Sequence, residues 1–218
     1  MRTAEHVQQY GYTFLRAHEP TETGEAVARS FGSLLKLGIG DPVHSLIPVE
    51  KENSTPNTYS GIYGLQQFPF HTDFAHWRYP PRYLMLRCIV GFKDVPTLLI
   101  DGWQLVREVG EILLSRAVVR PRRPVRGAMP LLRLYQSKDA DNLIRWDDVF
   151  IRPASSMGEI GMAALRESIA RCRPFPIRLA NAADTLIIDN WRMLHSRSAI
   201  LAGRETRLLQ RAYLERLT

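Results

Sequence analysis

The chain has 218 residues, 45% hydrophobic and 23% charged, with a net charge of +7. These are the proportions of a soluble globular protein. The absence of any run of about 18 apolar residues excludes a transmembrane helix. Two cysteines, Cys88 and Cys172, with no CxxC motif, argue against a disulfide framework. The first residues, MRTAEHVQQYGYTFLR, lack an apolar signal core, so a cytoplasmic location is expected.

In chain order, GYTFLRA (11–17) reads as a first strand. The segment 22–38, ETGEAVARSFGSLLKLG, has apolar residues at helical spacing and ends on glycine, which predicts a helix. Residues 49–64 are polar and rich in turn formers and read as a long loop, the kind that often lines a site. RYLMLRCIVGF (82–92) and TLLI (97–100) read as buried strands, and residues 102–117 as one helix. Residues 118–153 alternate short β-type runs with turns, and 157–172 have helical periodicity. Strands return in FPIRLA, DTLIID, WRMLHSRSAI and TRLLQRAYLERL. Many short strands with a few helices predict a mainly β fold with flanking helices, a double-sheet jelly roll (double-stranded β-helix, cupin-like), rather than a βαβ architecture. No boundary is evident, so residues 1–218 are read as one domain.

The basic residues are nearly all arginine and are spread along the chain. Their densest cluster is RPRRPVR (120–126), interrupted by prolines and valine. It reads as a solvated loop or edge strand, with an anionic substrate or partner as the alternative. Nucleic acid is not the favoured partner, and a homo-oligomer is left open.

The chemistry-bearing pattern is a pair, His71 and Asp73 in FPFHTDFAHW, with His195 far downstream in DTLIIDNWRMLHSR. On a strand, positions two apart share a face, so His71 and Asp73 are placed to reach one metal while Thr72 points away. Two imidazoles and one carboxylate suit a non-heme Fe(II) centre with open positions, and they also suit zinc. Arg207 and Arg211 follow His195, four residues apart and so on one face of a strand. A guanidinium binds a carboxylate through two parallel hydrogen bonds.

The stretches FPFHTDFAHW, PPRYLMLRC, PTLLIDGW, DTLIIDNWRMLHSR and RLLQRAY, spanning residues 68–213, resemble in content and order the taurine dioxygenase and clavaminate synthase-like superfamily of Fe(II)/2-oxoglutarate-dependent oxygenases. The resemblance implies His71, Asp73 and His195 as iron ligands, with dioxygen and 2-oxoglutarate as cosubstrates. It implies Arg207 at the distal carboxylate of 2-oxoglutarate, Thr97 beside it, and Arg211 at the other carboxylate or at an anionic group of the substrate. The glycine-rich stretch usual before this threonine is replaced by GFKDVPT. The implied reaction is hydroxylation of an unactivated C–H bond of a small amino-acid-like or natural-product substrate, with release of succinate and carbon dioxide. Asp73, where related halogenases have a small residue, argues against halogenation.

For the substrate, the sequence offers Asn57, Tyr59, Ser60, Gln66 and Gln67 before the motif, Phe74 and Trp77 as an apolar wall, and Arg145 in NLIRWD. Arg145 reads as a carboxylate anchor or as an ion-pair partner of Asp147. Three other readings stand beside the small-molecule hydroxylase. They are an oxygenase of a carrier-bound or macromolecular substrate, a catalytically inactive jelly-roll binding protein, and a zinc hydrolase.

Overall fold

A computed structural model describes residues 2–38, 40–138 and 141–218. The fold is mainly β, with helices on its outside. The larger sheet runs in the order β1 (Tyr12–Leu15), β12 (Thr185–Asp189), β4 (Tyr83–Val90), β14 (Leu208–Leu217) and β2 (Gly32–Leu35), and β3 (Val43–Leu46) also pairs with β14. A smaller sheet runs β11 (Phe175–Ile177), β5 (Thr97–Asp101), β13 (Met193–Arg197). His71 bridges both His195 and Asp147, which extends the smaller sheet by two short segments. All the named pairings in these two sheets are antiparallel.

Period-two alternation assigns each strand its two faces. On β4 and β12, Leu84, Leu86, Cys88, Leu186 and Ile188 face the smaller sheet and pack with its Leu99 and Met193. Met85 and Ile187 face outward, where Val27, Ala28 and Phe31 of α2 (Gly24–Phe31) and Val7 of α1 (Thr3–Tyr10) cover them. On β14, Ala212 and Leu214 belong to the outer face, Leu209 and Tyr213 to the inner one. Between Leu209 and Tyr213 the odd-numbered side chains of β14 therefore point between the sheets, and Arg211 is among them.

A third core lies beneath α4 (Gly102–Val109), α5 (Glu111–Arg116) and α6 (Ser156–Arg171). These helices cover β6 (Val118–Pro121), β7 (Leu132–Arg133), β8 (Tyr135–Lys138), β9 (Asp141–Ile144) and β10 (Ile151–Pro153). Residues 59–63 form α3 (Tyr59–Tyr63), capped by the Thr58 hydroxyl, inside the predicted loop.

Three expectations change. The helix predicted over 22–38 ends at Phe31, and GSLL continues as β2. A side chain at Gly32 would collide with the Arg216 carbonyl, so only glycine lets β2 lie this close to β14. The helix predicted over 102–117 is two helices, broken at Gly110, whose φ of 105° lies outside the helical region. The α1 helix carries no apolar stripe beyond Val7 and escapes a reading based on periodicity. Among the described residues, no helix is long and apolar enough to cross a membrane.

Candidate active site

His71, Asp73 and His195 converge between the sheets, with one ligand atom from each within 4.8 Å of the others. All three are buried. Asp73 Oδ1 lies 3.5 Å from His71 Nε2 and 3.6 Å from His195 Nε2. Its other oxygen accepts a 2.6 Å hydrogen bond from the Tyr213 hydroxyl and lies 3.7 Å from Arg211 Nη1. The carboxylate thus has one oxygen toward the imidazoles and one held from behind. Burial alone would raise the Asp73 pKa, but the His195 and His71 hydrogen bonds and the charge of Arg211 hold it well below the usual range.

The predicted strand carrying His71 and Asp73 is only an isolated bridge, and the chain turns immediately after it, with Phe74 at φ 56°. The segment keeps its place by docking on β13 and on the connection that carries the chain from β12 in the larger sheet to β13 in the smaller one. The His71 and His195 backbones exchange N–H···O bonds of 3.0 and 2.9 Å. Asn190, in that connection, accepts from the Asp73 N–H at 2.7 Å and donates to the Asp73 carbonyl at 3.0 Å. Thr72 bonds the Trp146 backbone instead of facing the three ligands. The Pro69 carbonyl lies 2.9 Å from His71 Nδ1, which assigns the proton to that nitrogen and leaves Nε2 free to ligate. The ring of Tyr59, delivered by α3, stacks on His71 at 4.2 Å.

The triad opens into a cavity of about 750 Å³. Thr97, Arg207 and Arg211 line it, as do Asn57, Ser60 and Phe74. Arg207 is only 3% exposed, and its Nε has no acceptor. Among the described residues no hydrogen bond or ion pair satisfies its guanidinium, and burial presses its pKa down to about 10. An unpartnered buried cation is costly, at several kcal/mol, unless something pairs with it. A ligand carboxylate entering from the cavity is the natural partner. The donor set and this unpartnered guanidinium together fit Fe(II) and a dicarboxylate.

Four expected substrate residues are not brought to the cavity. Gln66 and Gln67 are exposed and outside the lining. Arg145 is fully buried, but its guanidinium donates to the carbonyls of Arg133, Ala75, Trp77 and Arg78 and to the Gln136 side chain. That leaves no donor for a substrate, and no ion pair joins it to Asp147. Trp77 packs against Phe74 without reaching the lining. The sequence reading missed Tyr213 and Asn190, which position Asp73; Tyr59, offered there to the substrate, lines the cavity and backs His71. Tyr213 stands two residues after Arg211, so its alternation with Arg211 was a usable signal.

Among curated proteins, none matches the chain. Similar solved structures include the PvcB protein from Pseudomonas aeruginosa, with 18% identity and a TM-score of 0.68, covering 95% of this chain and 77% of that one. An asparagine oxygenase in complex with Fe(II), 2S,3S-3-hydroxyasparagine and succinate is 17% identical at TM-score 0.68, covering 97% and 77%. The non-heme iron oxygenase OrfP in complex with Fe and alpha-ketoglutaric acid is 20% identical at TM-score 0.70, covering 96% and 76%. These similarities speak to the fold. The family description "Taurine catabolism dioxygenase TauD, TfdA family" matches residues 2–111, half of the chain. The chain belongs to the TauD, TfdA family and is an Fe(II)/2-oxoglutarate-dependent dioxygenase.

Proposed function

We propose that this dioxygenase hydroxylates an unactivated C–H bond of a small amino-acid-like substrate. His71, Asp73 and His195 would hold Fe(II), and Arg207, with Thr97 beside it, would hold 2-oxoglutarate. When bound, the iron supplies the oxidation of the substrate C–H bond by dioxygen, coupled to conversion of 2-oxoglutarate to succinate and carbon dioxide. The observation that carries this reading is the opening of the three converging ligands into the cavity where Arg207 lies buried without an acceptor.

The chain's own residues provide position and exclusion of water. Tyr213 occupies the outer oxygen of Asp73, which favours one-oxygen ligation and leaves space beside the triad. Arg211 places a second cation near that space, suited to a carboxylate of the cosubstrate or the substrate. Tyr59 and Phe74 wall the cavity with rings. Two similar structures were solved with hydroxylated amino acids, 3-hydroxyasparagine in asparagine oxygenase and (3S)-hydroxy-L-Arg in OrfP, which supports an amino-acid-like substrate. We read the two packed sheets as one jelly-roll domain over residues 1–218, working in the cytoplasm.

Adding Fe(II) and 2-oxoglutarate without oxygen should produce a metal-to-ligand charge-transfer absorption. Folded protein that binds Fe(II) but shows no such band with 2-oxoglutarate would overturn the assignment.

A further inference from the structure

The RPRRPVR segment is largely exposed, as its composition suggests, but its residues 121–125 also line one wall of the cavity. Arg122 and Arg123 line the same space as the three converging ligands. The loop is built rather than loose. Pro121 ends β6, the Arg122 N–H donates to the Phe150 carbonyl at 2.8 Å, and Val125 and Ala128 close a tight turn with bonds of 2.8 and 3.0 Å.

Arg122 is also held by its side chain. One amino group donates to Asn57 Oδ1 at 3.0 Å, and the guanidinium lies 5.6 Å from the Phe150 ring centroid. Asn57 reaches it from the segment before α3, with its own backbone at φ 64°. Neither Asn57 nor Phe150 is an anion, so the positive charge is oriented but not neutralised. Arg122 and Arg123 belong to none of the ion pairs among the described residues.

The charge balance of the cavity points the same way. Arg122, Arg123, Arg197, Arg207 and Arg211 line it against only two carboxylates, Asp73 and Asp147. Asp73 is engaged by the histidines and Tyr213, and Asp147 accepts the N–H groups of Val149 and Phe150. A dicarboxylate at Arg207 and Arg211 would leave the Arg122 end still cationic. A path of ring contacts at 5.2 and 4.2 Å leads from Phe150 through Tyr59 to His71. The cation and the triad thus border one continuous cavity.

We infer that Arg122, oriented by Asn57 and Phe150 and assisted by Arg123, is the subsite for an oxyanion carried by the substrate, a carboxylate or a phosphate ester. This rests on the dioxygenase reading for the position of the reacting centre, but the anion subsite is measurable separately. A carboxylate would come from a free amino-acid-like substrate. A phosphate would come from one tethered to a phosphorylated carrier arm.

The test is a double dissociation on the full chain. Anaerobic protein with Fe(II) and saturating 2-oxoglutarate is titrated with inorganic phosphate, each of the twenty L-amino acids, and 4′-phosphopantetheine, followed by calorimetry and by the charge-transfer band. The wild type should bind at least one of these probes. Arg122→Gln should weaken that binding about ten-fold or more, as expected for loss of a charge-assisted fork, and leave the charge-transfer band intact. Arg207→Gln should lose the band and retain phosphate binding. Selective loss of an amino acid in Arg122→Gln assigns a free substrate, and selective loss of 4′-phosphopantetheine assigns a carrier. Asn57→Ala, which keeps the charge but releases its orientation, should weaken the same probe by a smaller factor and serves if Arg122→Gln does not fold. Absence of binding by every probe, or equal binding by wild type and the Arg122 variant, overturns the subsite. Absence of the band in wild type overturns the dioxygenase reading instead, whatever phosphate does.

Discussion

Arg145 and Arg207 are both buried arginines whose pKa burial lowers to about 10, yet their surroundings are opposite. Arg145 sits at the end of β9 and spends its donors on four backbone carbonyls and Gln136. Arg207, just before β14, has no protein acceptor for its Nε and faces the cavity. A buried cation saturated by carbonyls is a cross-link between chain segments. A buried cation left unsatisfied beside a cavity is kept for a ligand, and folding bears the cost until the ligand arrives. Burial and charge are the same in both regions, so the partners alone separate structure from function.

The largest expected effect tests the Arg145 side of this contrast. Arg145→Met should cost about 3–5 kcal/mol of stability, because several buried carbonyls lose their donor at once. Urea unfolding would measure it, and a loss below about 1 kcal/mol would mean that water replaces the guanidinium readily. Arg207→Gln should do the reverse. Stability should hold or rise, while 2-oxoglutarate affinity falls about 100-fold, as for a desolvated charge pair that loses one partner. Calorimetric titration gives both numbers, and a large loss of stability with normal affinity would erase the distinction.

Asp189 offers an anionic version of the comparison, at an intermediate size. Burial raises its pKa to about 6, with Arg82 and the Trp191 N–H only partly offsetting this. The folded state therefore holds a proton that the unfolded state, near 3.8, has released. Its contribution is fully present below about pH 4 and is lost as pH rises through 6. Asp189→Asn should gain about 2–3 kcal/mol over the wild type between pH 4 and pH 7. Unfolding midpoints that track each other across that range would show that Asp189 ionises normally. The smallest effect concerns the support behind the metal ligands: Tyr213→Phe should weaken Fe(II) or Co(II) binding about ten-fold with little change in fold. An unchanged metal affinity would reduce Tyr213 to packing.

How much was legible follows from how local each signal is. His71, Asp73 and His195 carry their chemistry in residue type, and β4 and β12 advertise themselves as apolar runs. Arg207 and Arg211 were legible because period two places them on one face. Arg145 was misread because the acceptors that consume it, from Ala75 to Arg78 and at Arg133, come together only in the folded chain. That the exposed RPRRPVR loop also borders the cavity was hidden for the same reason, since Asn57 and Phe150, which orient Arg122, are remote in sequence. Gly32 ended a helix that its neighbours favoured, through a close approach to β14 that no local pattern contains.

The docking of the His71–Asp73 segment on the stretch that links the two sheets has a mechanical consequence. His71 is registered to His195 by paired backbone bonds, and Asp73 is clipped by Asn190 five residues earlier in the same stretch. The three corners of the triangle are therefore tied to one another through the backbone rather than through the surrounding loops. Residues 121–125, which line another part of the cavity, make none of these bonds and can change length or charge without touching them. Such a chassis lets the choice of substrate be rewritten while the machinery that oxidises it stays in register.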